Sequence, residues 1–390
     1  MSTQWVEIAS SIKEVYGGKD IVPLHEPTFS EKEVEYVTDC IRTGWVSSVG
    51  KYVNEFEYRL AEFTGVKRAV AVVNGTAALH IALKVAGIQA NEEVFMPALT
   101  FIATANAVSY LHAIPHFIDV SEQTLGMDYK KLEAYIQEIC EMKNGQLINK
   151  VTGRIVRAVV PMHTFGHPVD LDGLIDICDR FNLVLVEDAA EALGSYYKGK
   201  HTGSFGSVGA LSFNGNKIMT TGGGGAILTN DEKLADYAKH ITTTAKTPHR
   251  WEYNHNEIGF NYRMPNINAA LGCAQLEKVN AFILSKRNLT RKYVELLKKE
   301  DGVEVFTEPI FGKSNYWLQT LILDPKKHSR DNVLEVLNNE GIMARPIWTP
   351  LNQLTPYKNC PQSDLSVTEE FKKRVINIPS TPLKGDRTYE

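Results

Sequence analysis

A chain of 390 residues, 43% hydrophobic and 23% charged, is long enough for two domains and too apolar to remain unfolded. Its formal net charge of −4, with no Lys/Arg cluster, argues against a nucleic-acid surface. Cys40, Cys140, Cys178, Cys273 and Cys360 are far apart, odd in number and unpaired as CxxC, which fits reduced thiols better than a disulfide frame or zinc site, and no apolar run nears the roughly 18 residues of a membrane span. With Glu7 and Lys13 inside what would be a signal's apolar core, the expectation is a soluble, cytoplasmic protein that engages neither membrane nor nucleic acid.

Trp5, Ile8, Ala9, Ile12, Val15 and Tyr16 recur at spacings of three and four, which predicts an amphipathic helix stopped by Gly17 and Gly18. Ser30 followed by Glu33 is a capping-box pair, so a second helix is expected to about Arg42. Thr43 to Gly50 reads as a loop, either a plain connection or a cover over a ligand. Lys67 to Val73 has the pattern of a buried strand, and Asn74, Gly75 and Thr76 form a turn opening a helix to Leu83. Such a helix start offers amide groups, a hydroxyl and the positive end of the helix dipole to a phosphate. Many helices begin this way with nothing bound, and the Gly-Lys-Ser/Thr of a triphosphate loop is missing.

Strand patterns follow at 93–97, 114–119 and 154–161, with helices expected over Ala103 to Val108 and Lys130 to Met142. Asn182 to Asp188 is a further apolar run that ends on two carboxylates, Glu187 and Asp188. This alternation predicts a mostly parallel α/β sheet covered on both faces, with the ends at Asn74, Pro97 and Asp188 on one rim. In open α/β sheets that rim is where ligands bind. Asp188 either serves the rim or caps a helix begun by Ala189 to Leu193. His163 and His167 are four apart, but Gly166 and Pro168 disfavour a helix there, so no metal is expected. Gly203 to Gly209 has the glycine spacing of a dinucleotide loop without the strand before it or the long helix after it, and reads as a turn.

Lys217 follows, backed by Gly222 to Gly225 and the strand-like Ala226 to Thr229. Alone it reads as a solvated lysine. With an acid fixed at a strand end it suits pyridoxal phosphate, whose aldehyde forms a Schiff base with an amine and whose ring nitrogen a carboxylate keeps protonated. A polar, aromatic-studded loop from Thr242 to Asn256 marks the boundary between a large cofactor-binding domain, 26–245, and an N-terminal arm with a small C-terminal α/β domain, 1–25 and 246–390. From Pro265 one long helix is expected towards Lys298 to Glu300, then a strand near Trp317 to Leu323 and a helix near Asp331 to Asn339.

In this order the motifs resemble, over almost the whole chain, the sugar aminotransferases of the DegT/DnrJ/EryC1/StrS family, a branch of the fold-type I pyridoxal phosphate enzymes. The segments that carry the likeness are Gly44-Trp45, Asn74 to His80, Pro97 to Phe101 with Ala103 to Asn106, Glu187-Asp188, Ser212-Phe213 with Lys217, Gly259 to Met264, and Ala344-Arg345-Pro346. The resemblance implies pyridoxal 5'-phosphate held covalently by Lys217, with Asp188 at the pyridine nitrogen and Phe101 against the ring. It further implies a phosphate held by Gly75, Thr76 and Ser212, joined by Asn261 from the partner subunit of a homodimer with shared active sites. Glu191 stands where glutamine or histidine is frequent, Gly223 where glutamate often occurs, and Asn352 where histidine does. An ionised glutamate cannot donate a hydrogen bond as glutamine does, which alters what Glu191 offers the cofactor.

These departures resemble the branch that aminates UDP-linked 4-keto-6-deoxy-N-acetylhexosamines for bacillosamine and legionaminic acid. The implied reaction moves an amino group from L-glutamate to C4 of such a nucleotide sugar. By position or charge, His25, Trp45, Ser47, Arg263 and Arg345 are the candidates for substrate contacts. The alternatives are a GDP-4-keto-6-deoxymannose aminotransferase and a non-catalytic regulator on the same fold. A dehydratase of the family would carry histidine where Lys217 stands.

Overall fold

Between Arg68 and Thr229 short valine-, alanine- and isoleucine-rich strands alternate with helices, as the apolar runs require. The computed structural model describes residues 2–383. Helices α1 (Ser2–Val15), α2 (Glu31–Thr43) and α3 (Lys51–Thr64) precede β1 (Arg68–Val72), α4 (Gly75–Val85), β2 (Glu93–Pro97), α5 (Ile102–Tyr110), β3 (Ile114–Ile118) and α6 (Tyr129–Ile139). The hairpin of β4 (Cys140–Lys143) and β5 (Gln146–Asn149) leads to β6 (Ile155–Val159), α7 (Leu171–Phe181) and β7 (Val184–Asp188). After the short β8 (Tyr196–Tyr197) and β9 (Lys200–His201), β10 (Val208–Ser212) and β11 (Gly225–Thr229) complete the sheet.

Its order is β1-β11-β10-β7-β6-β2-β3, with β5 beside β6 and β4 outermost. The ladders from β10 through β7, β6 and β2 to β3 are parallel, whereas β11 runs antiparallel to both its neighbours. The carboxyl ends of β1, β2, β7 and β10 therefore share one rim. Side chains alternate across the sheet: Val70, Val72, Val186 and Ile227 pack under α4, α5 and α8 (Glu232–Thr242). Ala69, Ala71, Leu211 and Leu228 face α3 and α9 (Asn266–Leu276), while Val159 and Leu185 lie against α6 and α7.

A second sheet, β12 (Val303–Val305), β14 (Gln319–Leu323), β16 (Val375–Ile378) and β15 (Arg345–Pro346) in that spatial order, packs with α1, α10 (Val279–Leu297) and α11 (Arg330–Asn339). β13 (Gly312–Lys313) pairs with β8, and α12 (Ser366–Arg374) leads into β16. Residues after the boundary expected at 245 return to the large sheet, since Met264, Ala269, Ala270 and Cys273 share a buried cluster with Phe56, Leu211 and Phe213. Among the described residues no helix is long and apolar enough to cross a membrane.

Three elements differ from expectation. The helix expected to Met142 ends at Ile139, because Asn144 (φ 52°) and Gly145 (φ 74°) make the two-residue turn of the β4–β5 hairpin. The single helix expected from Pro265 is two helices broken at Glu277 and Lys278, where the Glu277 carboxylate turns to Arg59, Tyr36 and Lys32 on the neighbouring helices. Residues 189–193 form turns rather than a helix, so Asp188 caps nothing.

Candidate active site

The rim is built first by backbone. Asn74 caps α4, its Oδ1 accepting the Ala77 N–H at 2.8 Å and its carbonyl the Ala78 N–H at 3.1 Å. Among the described residues the amides of Gly75 and Thr76 have no partner, and both residues line the cavity above them. Ser212 ends β10 opposite Gly225, the start of β11. A Cβ on Gly75 would stand 2.7 Å from Ser212 Cβ, and one on Gly225 would stand 2.5 Å from the Asn74 carbonyl. Glycine at both positions lets the helix start and two strand ends close into a cradle of free amides and a hydroxyl, an arrangement that suits an anion.

Acid and amine sit beside this cradle. Asp188 is buried at the end of β7, where Oδ2 accepts from Thr104 Oγ1 at 2.7 Å and Oδ1 from the Ala190 N–H at 3.2 Å. Burial pushes its carboxyl up, against the pull of those hydrogen bonds and of the Lys217 charge. Glu191, also buried, accepts from Lys217 Nζ at 3.2 Å and from the Phe165 N–H at 2.9 Å, and burial pushes it up as well. Lys217 Nζ lies 3.9 Å from the centre of the Trp317 ring, whose Nε1–H donates to the Asn216 carbonyl at 2.6 Å. Two buried acids thus stand with two cations, Glu191 bonded to Lys217 and close enough to Arg345 for their charges to interact.

Gly75, Thr76, Phe101, Asp188, Glu191, Ser212, Lys217 and Arg345 all line this one cavity of about 270 Å3. The other candidates do not. His25 is half-buried outside its lining, with both ring nitrogens buried and unpartnered, and burial together with the charges of Lys286, Lys217 and Arg345 holds its imidazole well below its usual range. Trp45 and Ser47 are exposed, on a loop fixed to α9 by Asn266, whose Nδ2 donates to the Trp45 carbonyl at 2.6 Å and whose N–H donates to that of Ser47 at 2.6 Å. Asn261 is exposed, and its Oδ1 accepts from Arg263 at 3.3 Å. Trp317 and Trp348 line the cavity without any local pattern to signal them, whereas Thr104, inside the 103–106 segment of the resemblance, reaches the site only through its hydrogen bond to Asp188.

The two sequence features that mimic other sites have internal uses. Gly203 to Gly206 wraps the protein's own Glu187, and His163 Nδ1 accepts the Val169 N–H at 3.3 Å, so its Nε2 carries the proton donated to Glu187 at 3.0 Å. His167 is buried between the rings of Phe306 and Tyr316. Among the described residues no group of three or more His, Cys, Asp or Glu could hold a metal ion.

An anion cradle, a free amine and a buried strand-end acid at the rim of a mostly parallel sheet are what a pyridoxal phosphate enzyme needs. The chain belongs to the DegT/DnrJ/EryC1/StrS aminotransferase family, which matches residues 27–388, and pyridoxal 5'-phosphate is its cofactor. It is 39% identical over 361 residues to EpsN of Bacillus subtilis (strain 168), named as a candidate pyridoxal phosphate-dependent aminotransferase, covering 92% of this chain and 90% of that one. It is 38% identical over 363 residues to the GDP-perosamine synthase of Caulobacter vibrioides, covering 92% and 93%. A solved aminotransferase of the family from Brucella abortus superposes with a TM-score of 0.82 at 29% identity, over 92% of each chain.

Proposed function

We propose that this enzyme transfers an amino group from L-glutamate to C4 of a nucleotide-linked 4-keto-6-deoxy sugar, with GDP-4-keto-6-deoxymannose as the acceptor. The observation that carries the transaminase reading is the convergence of Lys217, Asp188, Gly75 and Ser212 on one cavity. The acceptor follows from the likeness to a GDP-perosamine synthase, which favours the GDP-linked sugar over the UDP-linked N-acetyl sugar that the motifs alone suggest.

Pyridoxal 5'-phosphate supplies the aldehyde that carries the amino group and a ring that takes up the electron pair left at the reacting carbon. The Gly75 and Thr76 amides and the Ser212 hydroxyl would hold its phosphate, Asp188 would face its ring nitrogen, and Phe101 would cover one ring face. Lys217 Nζ would take the proton from the donor's α-carbon and deliver it to the cofactor's aldehyde carbon, and would carry it from there to C4 of the acceptor. Glu191 Oε1, already bonded to that amine, orients it. Thr104 and the Ala190 amide hold the Asp188 carboxylate in place against burial, so that its charge acts on the ring in a dry site.

Asn261, Arg263, Trp45 and Ser47 lie outside their own cavity, which supports a homodimer in which they serve the partner's site. The test is the visible absorption of the protein with pyridoxal 5'-phosphate, before and after L-glutamate, followed by GDP-linked and UDP-linked 4-keto sugars at equal concentration. The expected result is a band that fades on glutamate and returns faster with the GDP sugar. A return faster with the UDP sugar would reverse the choice of acceptor, and no response to glutamate would remove the proposed donor.

A further inference from the structure

Behind the cavity wall lies a second lysine with no evident reason to be charged. Lys286 on α10 is fully buried, and among the described residues no carboxylate pairs with it. Its Nζ donates to the Trp317 carbonyl at 3.0 Å and to Ser380 Oγ at 3.0 Å, with a shorter contact to the Ser380 carbonyl. Three oxygens thus surround the amine, which burial draws well below the ordinary lysine range. Burying an amine without an acid is unfavourable, and an apolar residue of similar size would avoid it. What such a residue would lose is the grip on Trp317.

That grip leads to the reactive amine. Trp317 is held on three sides: its carbonyl by Lys286 and by the Ser380 hydroxyl at 2.8 Å, its N–H by Asn315 Oδ1 at 2.8 Å, and its indole Nε1–H by the carbonyl of Asn216, the neighbour of Lys217. Its ring lies 3.9 Å from Lys217 Nζ, on an amine that also meets Glu191. An aromatic face at that distance attracts a cationic amine and so limits where it can stand.

We infer that Lys286 is a positioning residue for Lys217: by fixing the Trp317 carbonyl it holds the indole against the reactive amine and sets where that amine waits for the cofactor. The inference rests on the role proposed for Lys217 and adds a residue that reaches no substrate. It predicts that Lys286 acts through Trp317 rather than beside it.

The experiment is cofactor capture by the full-length, cofactor-free protein, without any sugar. Pyridoxal 5'-phosphate is mixed with wild type, Lys286→Met, Trp317→Leu and the double variant. Capture is followed by visible absorbance and borohydride trapping on Lys217, and the induced visible circular dichroism of the bound cofactor and the melting temperature are recorded alongside. Each single variant should slow capture about tenfold and alter the dichroism, and the double variant should be no slower than Trp317→Leu alone. Ser380→Ala, which removes one acceptor of Lys286 and the second hydrogen bond to the Trp317 carbonyl, should move both readouts the same way, and serves if Lys286→Met does not fold. Wild-type rate and dichroism in Lys286→Met, or effects that multiply in the double variant, would overturn the inference; if only Ser380→Ala folds, an unchanged rate would do so. Failure of the wild type to capture the cofactor on Lys217 would instead overturn the functional reading on which it rests.

Discussion

Glu187 and Asp188 are consecutive on β7, yet their carboxylates part to opposite sides of the strand. Glu187 is enclosed by the N–H groups of Gly203 at 2.7 Å, Phe205 at 2.6 Å and Gly206 at 2.8 Å and by His163, all within the fold. Asp188 faces the cavity with two hydrogen bonds. One acid secures the strand's exit and its neighbour is left for chemistry.

Glu187 should make stability depend on acid. Burial pushes its carboxyl up, but His163 and the Gly206 and Gly203 N–H groups outweigh this and hold it below the usual glutamate range. A carboxyl depressed in the fold stabilises it above the unfolded pKa of about 4.3, and that contribution is lost as pH falls through the folded value. Glu187→Gln should therefore cost about 3 kcal/mol at pH 7 and flatten the fall in urea midpoint below about pH 4.3. An equal acid dependence in variant and wild type would assign it to other groups.

Lys217→Ala should fold normally and lose turnover by at least about 10³-fold, because both proton transfers proposed for the site depend on its amine. Borohydride treatment of the variant with cofactor should leave no adduct. Turnover near that of the wild type would remove the catalytic role of Lys217.

Asp188→Asn keeps the shape and the Thr104 contact but removes the charge proposed to face the ring nitrogen. Turnover should fall about 10²- to 10³-fold, with a smaller change in cofactor affinity. Steady-state kinetics at saturating cofactor separates the two, and a loss abolished by excess cofactor would mean that Asp188 serves binding alone.

Gly75→Ala tests the cradle. The added Cβ would meet Ser212 at 2.7 Å and force it away, although alanine suits a first-turn helical position. The expected outcome is a lowered melting temperature without cofactor and a dissociation constant for pyridoxal 5'-phosphate raised at least about tenfold, measured by equilibrium dialysis on the folded variant. Unchanged affinity would place the phosphate elsewhere.

What the sequence reveals here depends on how local the cause is. The capping pair of Ser30 and Glu33, whose carboxylate accepts the Ser30 N–H at 2.7 Å, needs only four residues to be recognised. The strand ending at Asp188 and the glycine turn at Gly75 are equally local, so most of the rim is legible. The Asn144–Gly145 turn is legible too, but a helical run ending just before it masks the short β4. Trp317 over Lys217 is different: its contact to Asn216 spans 101 residues, and nothing near Trp317 marks it as part of a site. Likewise Arg263 and Arg345 have equal claims by charge, and only the packing shows that Arg345 lines the cavity while Arg263 turns to Asn261.

The reversed strand β11 has a consequence for how the enzyme loads. Because it runs back from the rim, the segment carrying Lys217 leaves the sheet at Ser212 and rejoins it at Gly225, directly opposite. The Phe213 N–H donates to the Gly224 carbonyl at 2.8 Å and the Thr221 N–H to that of Phe213 at 3.0 Å, so both feet of the loop are stapled together. A parallel strand in that place would have sent the chain over a face of the sheet to its far edge and left the lysine on a long crossover. As built, the backbone under Lys217 is tied at both feet, so the reach proposed for its amine, from Glu191 to an arriving aldehyde, would fall to the lysine's own methylene stem.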